Sequence, residues 1–228
     1  MQRVEDVLRE CAGRAGARTG FGIAADRICH ADLDESSERL AGVLQAQGIG
    51  PGDRAAVFMD AKPAAFIATF AALKAGGVVC PVGLSASAEQ LTHVLNDSCA
   101  ACLFVDAGLA PVAAAAMAEA PLLRLVVVCG AEGAPAIDGL IRYEDAVAAD
   151  RRPLVPPEPG LDPAMLLYPQ LASGVGEATA ISHAAILDAA PRGEISGAVG
   201  ALESLVKPLL AAVAGMRPHR SALPDAAA

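Results

Sequence analysis

Four short apolar runs that do not alternate with polar residues most constrain the fold of this chain of 228 residues. The runs cover residues 55–59, 78–82, 102–105 and 125–129. A strand that is buried on one face alternates apolar and polar residues, whereas an unbroken apolar run predicts burial on both faces. Segments of helical periodicity separate the four runs. The sequence therefore predicts an α/β fold in which helices cover both faces of a mostly parallel sheet.

Capping and turn residues mark the ends of several predicted helices. Residues 1–10 have amphipathic helical periodicity, and a helix whose apolar face includes Leu33 and Leu44 ends at Gly48 as a left-handed cap. Ser87 and Gln90 have the spacing of a capping box and predict a helix start. Residues 21–29 predict a short hairpin before the second helix.

A change in composition divides the chain. We expect a layered α/β domain over residues 1–150, followed by a proline-rich linker over residues 151–163. Residues 164–216 hold two more strand-like segments and the terminal helices, of which the last is interrupted at Pro208. Residues 217–228 are predicted to be a disordered tail.

The charge balance excludes several classes of partner. The chain has 17 Lys and Arg against 26 Asp and Glu, a net charge of −9. Without a basic stripe, binding to nucleic acid or to an anionic membrane surface is not expected. No window of the sequence has the apolar length of a transmembrane helix, and the six cysteines fit reduced thiols, so we expect a cytoplasmic protein.

Three stretches carry a resemblance to a known family. Residues 27–41, 48–57 and 70–82 resemble the opening strand and helix, the signature turn and the next helix and strand of the adenylate-forming superfamily. This superfamily contains acyl- and aryl-CoA ligases, adenylation domains of peptide synthetases and luciferases. With residues 87–97, the resemblance extends from about residue 21 to about residue 105. It implies the fold of the family's N-terminal subdomain.

The resemblance also implies where a phosphate-binding segment should lie. In the family this segment follows a tyrosine, reads Thr-Ser-Gly-Thr-Thr-Gly-x-Pro-Lys-Gly, and precedes a short strand and a histidine. Tyr168 and His183 keep the family's separation, and Ser173, Gly174 and Gly176 lie between them. We call residues 168–183 the relic segment. The resemblance implies that these five residues are its nucleotide-contacting positions.

The relic segment departs from the family pattern at the positions that matter for phosphate. Glu177 stands where the family has a lysine, so the local charge is reversed. Pro169 lacks a backbone N–H, and Leu171 does not share the backbone freedom of glycine. We therefore expect no catalytic residue, no metal ligand and no cofactor. The alternative is weak binding of ATP with magnesium.

Other patterns have competing interpretations. Cys99 and Cys102 form a CxxC pair, which we interpret as structural thiols because no second pair supports a zinc site and the order of elements does not suit a redox motif. Ser173 and His183 do not match a nucleophile elbow. The acidic run from Asp32 to Glu38 is most simply a solvated helix face. The apolar side of the last helix either packs on the sheet or forms a partner surface.

The sequence favours a non-catalytic function. The chain ends before the substrate pocket and the C-terminal lysine motif of the family, so we expect a truncated homologue that acts as an accessory or protein-interaction component of a biosynthetic pathway. It would form a homodimer or bind a partner such as a full-length ligase or a carrier protein. The alternative is AMP-dependent acyl- or aryl-CoA ligase or adenylating activity, completed in trans by a partner. A third hypothesis is a small-molecule site beside Tyr168 and Gly176.

Overall fold

The computed structural model describes residues 2–14, 20–23, 26–130, 140–156, 163–169, 176–193 and 203–216. The helices are α1 (Val4–Ala12), α2 (His30–Ala46), α3 (Pro63–Lys74), α4 (Ala88–Asp97), α5 (Ala110–Met117), α6 (Tyr143–Ala148), α7 (His183–Ala189) and α8 (Glu203–Met216). The strands are β1 (Gly20–Ile23), β2 (Asp26–Cys29), β3 (Arg54–Phe58), β4 (Val78–Pro81), β5 (Ala100–Asp106), β6 (Leu125–Cys129), β7 (Leu140–Arg142), β8 (Pro163–Leu167) and β9 (Thr179–Ser182).

A seven-stranded sheet organises the molecule, with the order β7-β6-β5-β3-β4-β8-β9. All neighbours in it are parallel except β8 and β9, which are antiparallel. β1 and β2 form a separate antiparallel hairpin, as predicted for residues 21–29. Strands from both of the predicted segments, 1–150 and 164–216, belong to the large sheet. The predicted fold class, a mostly parallel sheet layered by helices, is confirmed.

Helices cover the sheet on both faces and divide the core in two. On one face α1, α2, α3, α6, α7 and α8 bury a cluster that includes Val57. On the other face α4 and α5 bury a second cluster that includes Phe58. Because successive strand residues point to opposite faces, both residues are fully buried although they are neighbours in β3. This arrangement explains why the strand sequences do not alternate.

Several element ends match the sequence signals. Gly48 has a φ of 76°, the left-handed conformation expected after α2. The Ser87 hydroxyl accepts the Gln90 N–H, and the Gln90 side chain accepts the Ser87 N–H, which completes the predicted capping box of α4. Ser182 caps α7 by accepting the Ala185 N–H.

Other elements differ from the sequence expectation. The pattern did not predict β7 and α6, which are only three and six residues long. Pro208 lies inside α8, so the helix continues through the proline within residues 203–216. The predicted tail, residues 217–228, lies outside the described residues.

The acidic run on α2 is only partly a solvated face, which corrects the sequence interpretation. Asp32 and Glu35 are exposed. The Asp34 carboxylate, in contrast, accepts a hydrogen bond of 2.7 Å from the ammonium of Lys74, a side chain with no exposed surface. Burial lowers the pKa of Lys74. Because Asp34 neutralises a charge inside the protein, α2 and α3 are joined by a buried ion pair.

The apolar side of α8 packs inside the protein and is not a free surface. Its residues Val206, Leu209, Leu210 and Val213 are buried in the same cluster as α1 and α7. Of the two interpretations of this helix, packing is therefore the one observed. Within the described residues, no helix combines the length and the apolar character needed to cross a membrane.

Candidate functional site

The described part of the relic segment lies at the end of the sheet formed by β8 and β9. Tyr168 follows β8, Gly176 precedes β9, and His183 begins α7. Because β8 is parallel to β4, Tyr168 lies at the edge of the sheet where the parallel strands have their carboxyl ends, an edge that commonly binds ligands in such sheets. Ser173 and Gly174, the other two expected nucleotide-contacting residues, lie outside the described residues.

Tyr168 is buried and bonded to α4. Its side chain is 1% exposed, and its hydroxyl donates a hydrogen bond of 2.8 Å to the Asp97 carboxylate. Burial, together with this hydrogen bond, raises the pKa of Tyr168 above its ordinary value. The phenol therefore remains protonated at neutral pH and serves as a hydrogen-bond donor.

His93, also on α4, contacts the other side of the segment. Its Nε2 lies 3.3 Å from the Gly176 carbonyl oxygen. A carbonyl oxygen only accepts, so Nε2 carries the proton and donates. The His93 ring also packs edge-on against the Tyr168 ring, with 6.0 Å between the centroids. Since His93 and Asp97 are four residues apart, both lie on one face of α4.

His183 is on the other face of the sheet, away from Tyr168. Tyr168 belongs to the cluster covered by α4 and α5, whereas α7 packs with α1 and α8. The fully buried His183 ring accepts the Val4 N–H at Nδ1, over 3.2 Å. The structure therefore does not bring the retained tyrosine and histidine together.

A buried carboxyl group accompanies His183. Glu5 is 3% exposed, and its Oε2 lies 3.6 Å from His183 Nδ1. The Arg3 guanidinium donates to the other oxygen of Glu5. Burial outweighs this bond and raises the pKa of Glu5. His183 thus anchors the start of α7 to the first turn of α1.

Sequence reasoning missed the residues that hold the relic segment. Neither His93 nor Asp97 belongs to a recognisable motif, and Glu5 lies in a helix that reads as an ordinary amphipathic one. A helical-wheel plot would place His93 and Asp97 together, but the sequence contains no signal that pairs them with Tyr168 or Gly176. Their roles depend on the neighbouring position of α4 and β8 in three dimensions.

Glu177 is exposed at the position where the family has a lysine. It forms no ion pair with a described lysine or arginine. At ~4 Å and an effective dielectric constant of about 20, attraction between unit charges is worth roughly 4 kcal/mol before screening, and a carboxylate turns it into repulsion. Pro169 removes one N–H donor as well, a smaller effect of about 1–3 kcal/mol. Of the two departures from the family pattern, the resemblance therefore implies that the charge reversal has the larger electrostatic effect.

The cysteines lie in different environments. All six cysteines are free. Cys102 is buried, which raises the pKa of its thiol, while Cys99 is exposed. This unequal environment agrees with structural thiols. Within the described ranges, no group of three or more His, Cys, Asp or Glu side chains is placed to hold a metal ion.

Comparisons with known proteins agree on one family. The sequence model described as AMP-binding enzyme matches residues 8–174. The chain is 28% identical over 190 residues to a 3-hydroxybenzoate--CoA/4-hydroxybenzoate--CoA ligase of Thauera aromatica, which covers 82% of this chain and 36% of that protein. It is 36% identical over 104 residues to a phosphinothricin tripeptide synthetase of Streptomyces viridochromogenes, over 46% of this chain and 10% of that protein.

Solved structures also resemble this chain in fold. A putative long-chain-fatty-acid CoA ligase from Rhodopseudomonas palustris superposes with a TM-score of 0.72 at 23% identity, covering 83% of this chain and 47% of that one. At this identity the likeness concerns the fold. The chain spans less than half the length of each of these relatives.

Proposed function

We propose that this chain, which belongs to the family of AMP-binding enzymes, is a non-catalytic member of that family. It acts as an accessory, protein-binding component of a biosynthetic pathway. The fold supplies a stable scaffold, and the relic segment no longer supplies the charge that a nucleotide requires. No cofactor takes part in this function.

The observation that carries the proposal is Glu177. Its carboxylate is exposed next to Gly176, at the position where a family member presents an ammonium group to phosphate. A nucleotide triphosphate carries several negative charges, so each approach to this residue is unfavourable. Pro169, at the start of the segment, has no N–H to donate to a phosphate.

Two further observations support the loss of chemistry. The Tyr168 hydroxyl donates to Asp97 inside the protein, so it does not point to a bound substrate. The His183 ring is fully buried, and its Nδ1 is used by the Val4 N–H. Both residues that keep the family's spacing therefore have structural partners.

Calorimetry with Mg·ATP tests the proposal directly. We expect no heat of binding to the wild-type chain at nucleotide concentrations up to about 1 mM, the weak end of specific binding. Pyrophosphate exchange with a panel of carboxylic acids should likewise remain at background. Micromolar ATP binding, or exchange that depends on one of the acids, would refute a non-catalytic function.

The partner belongs to the same proposal. A homodimer is the simplest assembly, and the alternatives are a full-length ligase or a carrier protein. One named relative is a tripeptide synthetase of which the matched region is only 10%, and this supports a role as a component of a larger assembly. Light scattering after size exclusion, over a range of protein concentrations, measures self-association. A monomer at every concentration would exclude the homodimer and leave the two heterologous partners for a direct binding assay.

The second candidate function is formation of an acyl or aryl adenylate from an acid and ATP. The similarity to a hydroxybenzoate--CoA ligase over 82% of this chain is the observation in its favour. The exchange experiment should therefore include hydroxybenzoates among the acids. Activity that appears only when a ligase of the same family is added would indicate completion in trans.

A further inference from the structure

Residues 149–155, which we call the strap, lie along α2 and are hydrogen-bonded to it. The Arg39 guanidinium donates to the carbonyl oxygen of Ala149 over 3.3 Å. The Gln45 side-chain amide donates to the carbonyl oxygen of Val155 over 2.9 Å and accepts the Val155 N–H over 2.8 Å. Gln45 thus bonds both backbone groups of one residue, as a neighbouring strand would, and fixes this end of the strap.

Two more contacts hold the middle of the strap. Arg151 forms an ion pair with Glu38. Gly42 is buried, and a Cβ at this position would lie 3.1 Å from the Cβ of Arg152. A glycine inside a helix costs stability relative to alanine, and here it lets the strap approach the helix closely. The strap is therefore held along about two turns of α2.

The strap contains a PxxP motif, formed by Pro153 and Pro156. Proline fixes its own φ, and the residue before a proline favours extended backbone, so the motif favours polyproline II structure. This helix has about three residues per turn, so the two prolines share one edge. Both prolines are exposed, and Val155 between them is 63% exposed. Leu154, in contrast, packs against the core.

We propose that residues 151–156, held extended by α2, are a docking motif for a partner protein with an aromatic-lined groove for polyproline II ligands. Such grooves are a recurring mode of recognising proline-rich segments. The inference rests on the proposed function, because it names the surface and the kind of partner through which a non-catalytic member would act. Arg152 is exposed and forms no ion pair with a described acidic residue, so the groove should be acidic at one end.

The hydrogen bonds of the strap distinguish this mode from strand addition. A segment that joins the edge of a partner's sheet must offer its own N–H and C=O groups. Both groups of Val155 are already bonded to Gln45. A polyproline II groove instead contacts side chains, and those of Pro153, Val155 and Pro156 are exposed. Because α2 holds the strap, less conformational entropy is lost on binding than for a disordered segment.

Tryptophan fluorescence tests the docking motif. SH3 and WW domains carry tryptophan in their aromatic grooves, whereas this chain has none, so titrating a panel of these domains with the full chain reports on the groove alone. We expect at least one domain to bind with a Kd of about 100 μM or tighter. Replacing Pro153 and Pro156 together by alanine should weaken this binding at least about tenfold. The matched control replaces Pro111 and Pro121, two exposed prolines elsewhere, and should bind as wild type does.

Two results would overturn the inference. One is no binding by any domain of the panel at about 1 mM. The other is wild-type binding by the variant that lacks Pro153 and Pro156, with circular dichroism as the check of folding. Arg152→Glu should weaken binding more at low salt than at high salt, because it reverses a charge that the groove attracts.

Gln45→Ala tests whether α2 prepares the strap. The substitution removes both hydrogen bonds to Val155 and should weaken binding by about threefold. Gln47→Ala is the matched control, since Gln47 is an exposed glutamine at the end of the same helix. Equal binding by the two folded variants would refute this role of α2.

The outcomes separate this inference from the proposed function. Binding of Mg·ATP by the wild-type chain would refute the non-catalytic proposal, whereas the titrations with SH3 and WW domains need no nucleotide and would still decide the docking motif. Absence of groove binding, together with no heat from Mg·ATP, would refute the inference and leave the proposed function intact.

Discussion

The centre of the large sheet and its β8–β9 edge differ in how they use their polar residues. Around β3, which lies between β4 and β5 in parallel pairing, charged side chains stabilise the scaffold itself. Arg54 donates to the carbonyl oxygens of Gly52, Ser98 and Cys99, and so joins the start of β3 to the end of α4. Around β8 and β9, polar residues of α4 instead contact Tyr168 and Gly176 at the edge of the sheet.

The difference indicates how a charge at the sheet edge can change without a change of fold. A charge change at Arg54 would leave backbone carbonyls without partners and would therefore cost stability. A charge change at Glu177, which is exposed and forms no ion pair with a described residue, costs the fold little. The scaffold and the relic segment thus depend on separate sets of residues, and three substitutions test which buried contacts stabilise the scaffold.

The largest effect is expected from Asp34→Asn. This substitution removes the carboxylate that neutralises the fully buried Lys74 ammonium. Breaking a buried pair by removing one partner leaves an uncompensated charge, and we expect a loss of about 3 kcal/mol in the free energy of unfolding. Urea denaturation monitored by circular dichroism measures this loss.

Glu35→Gln is the matched control on the same helix. Glu35 is exposed and pairs with Arg39, four residues away. An exposed pair of this kind contributes about 0.5 kcal/mol or less. Equal losses for Asp34→Asn and Glu35→Gln would mean that the buried pair does not stabilise the scaffold.

The next largest effect is expected from Gly77→Ala. An added Cβ at position 77 would lie 2.9 Å from the Asp53 carbonyl oxygen and 3.1 Å from the Ala72 carbonyl oxygen. Both neighbours are backbone atoms, so the backbone of residue 77 must shift away from α3 and from Asp53, the residue before β3, to admit a methyl group. We expect a loss of about 2 kcal/mol in the free energy of unfolding, measured in the same way.

Gly50→Ala separates this crowding from a general effect of alanine. Nothing lies within 4 Å of a Cβ at position 50, and its φ is not positive. The unfolding free energy should therefore change by no more than about 0.5 kcal/mol. If Gly77→Ala is as mild as Gly50→Ala, the close approach of residue 77 to the backbone of Asp53 and Ala72 is not a constraint on the fold.

The contrast between the two regions also explains what could be predicted from the sequence. The strands β3 to β6 were predictable because burial on both faces leaves a run such as residues 125–129 without polar positions. The capping box at Ser87 was predictable because its partners are three residues apart. Strand β7 was not predictable, because a half-buried edge strand of three residues is too short for its pattern to be distinguished from that of a loop.

For the candidate site, the sequence predicted where the segment lies along the chain but not which side chains contact it. The spacing of Tyr168 and His183 located the relic segment, but it did not show that the two side chains face opposite sides of the sheet. Their partners Asp97 and Val4 are 71 and 179 residues away in sequence. Contacts over such separations depend on the packing of helices on the sheet, for which a single sequence carries no local signal.

The smallest effect concerns Glu5, at the contact between α1 and His183. Burial raises the pKa of Glu5 from its ordinary value of 4.5. The folded protein therefore holds the proton of the Glu5 carboxyl group more tightly than the unfolded chain does. The contribution of protonated Glu5 to stability is fully present below the pKa that Glu5 has in the unfolded chain. It is lost as the pH rises through the pKa that Glu5 has in the folded protein. Glu5→Gln, which remains neutral, should therefore gain stability relative to wild type as the pH increases.

Urea denaturation of wild type and Glu5→Gln from about pH 4 to about pH 8 measures this gain as a difference that grows with pH. Glu10→Gln is the control, because Glu10 lies on the same helix but is exposed, with Arg14 at 3.7 Å. The difference in unfolding free energy between Glu10→Gln and wild type should not increase with pH. A Glu5→Gln difference that falls with pH would show that the Arg3 guanidinium outweighs burial. The carboxylate would then stabilise the contact of α1 with His183, and the β8–β9 end would depend on a buried ion pair as the α2–α3 pair does.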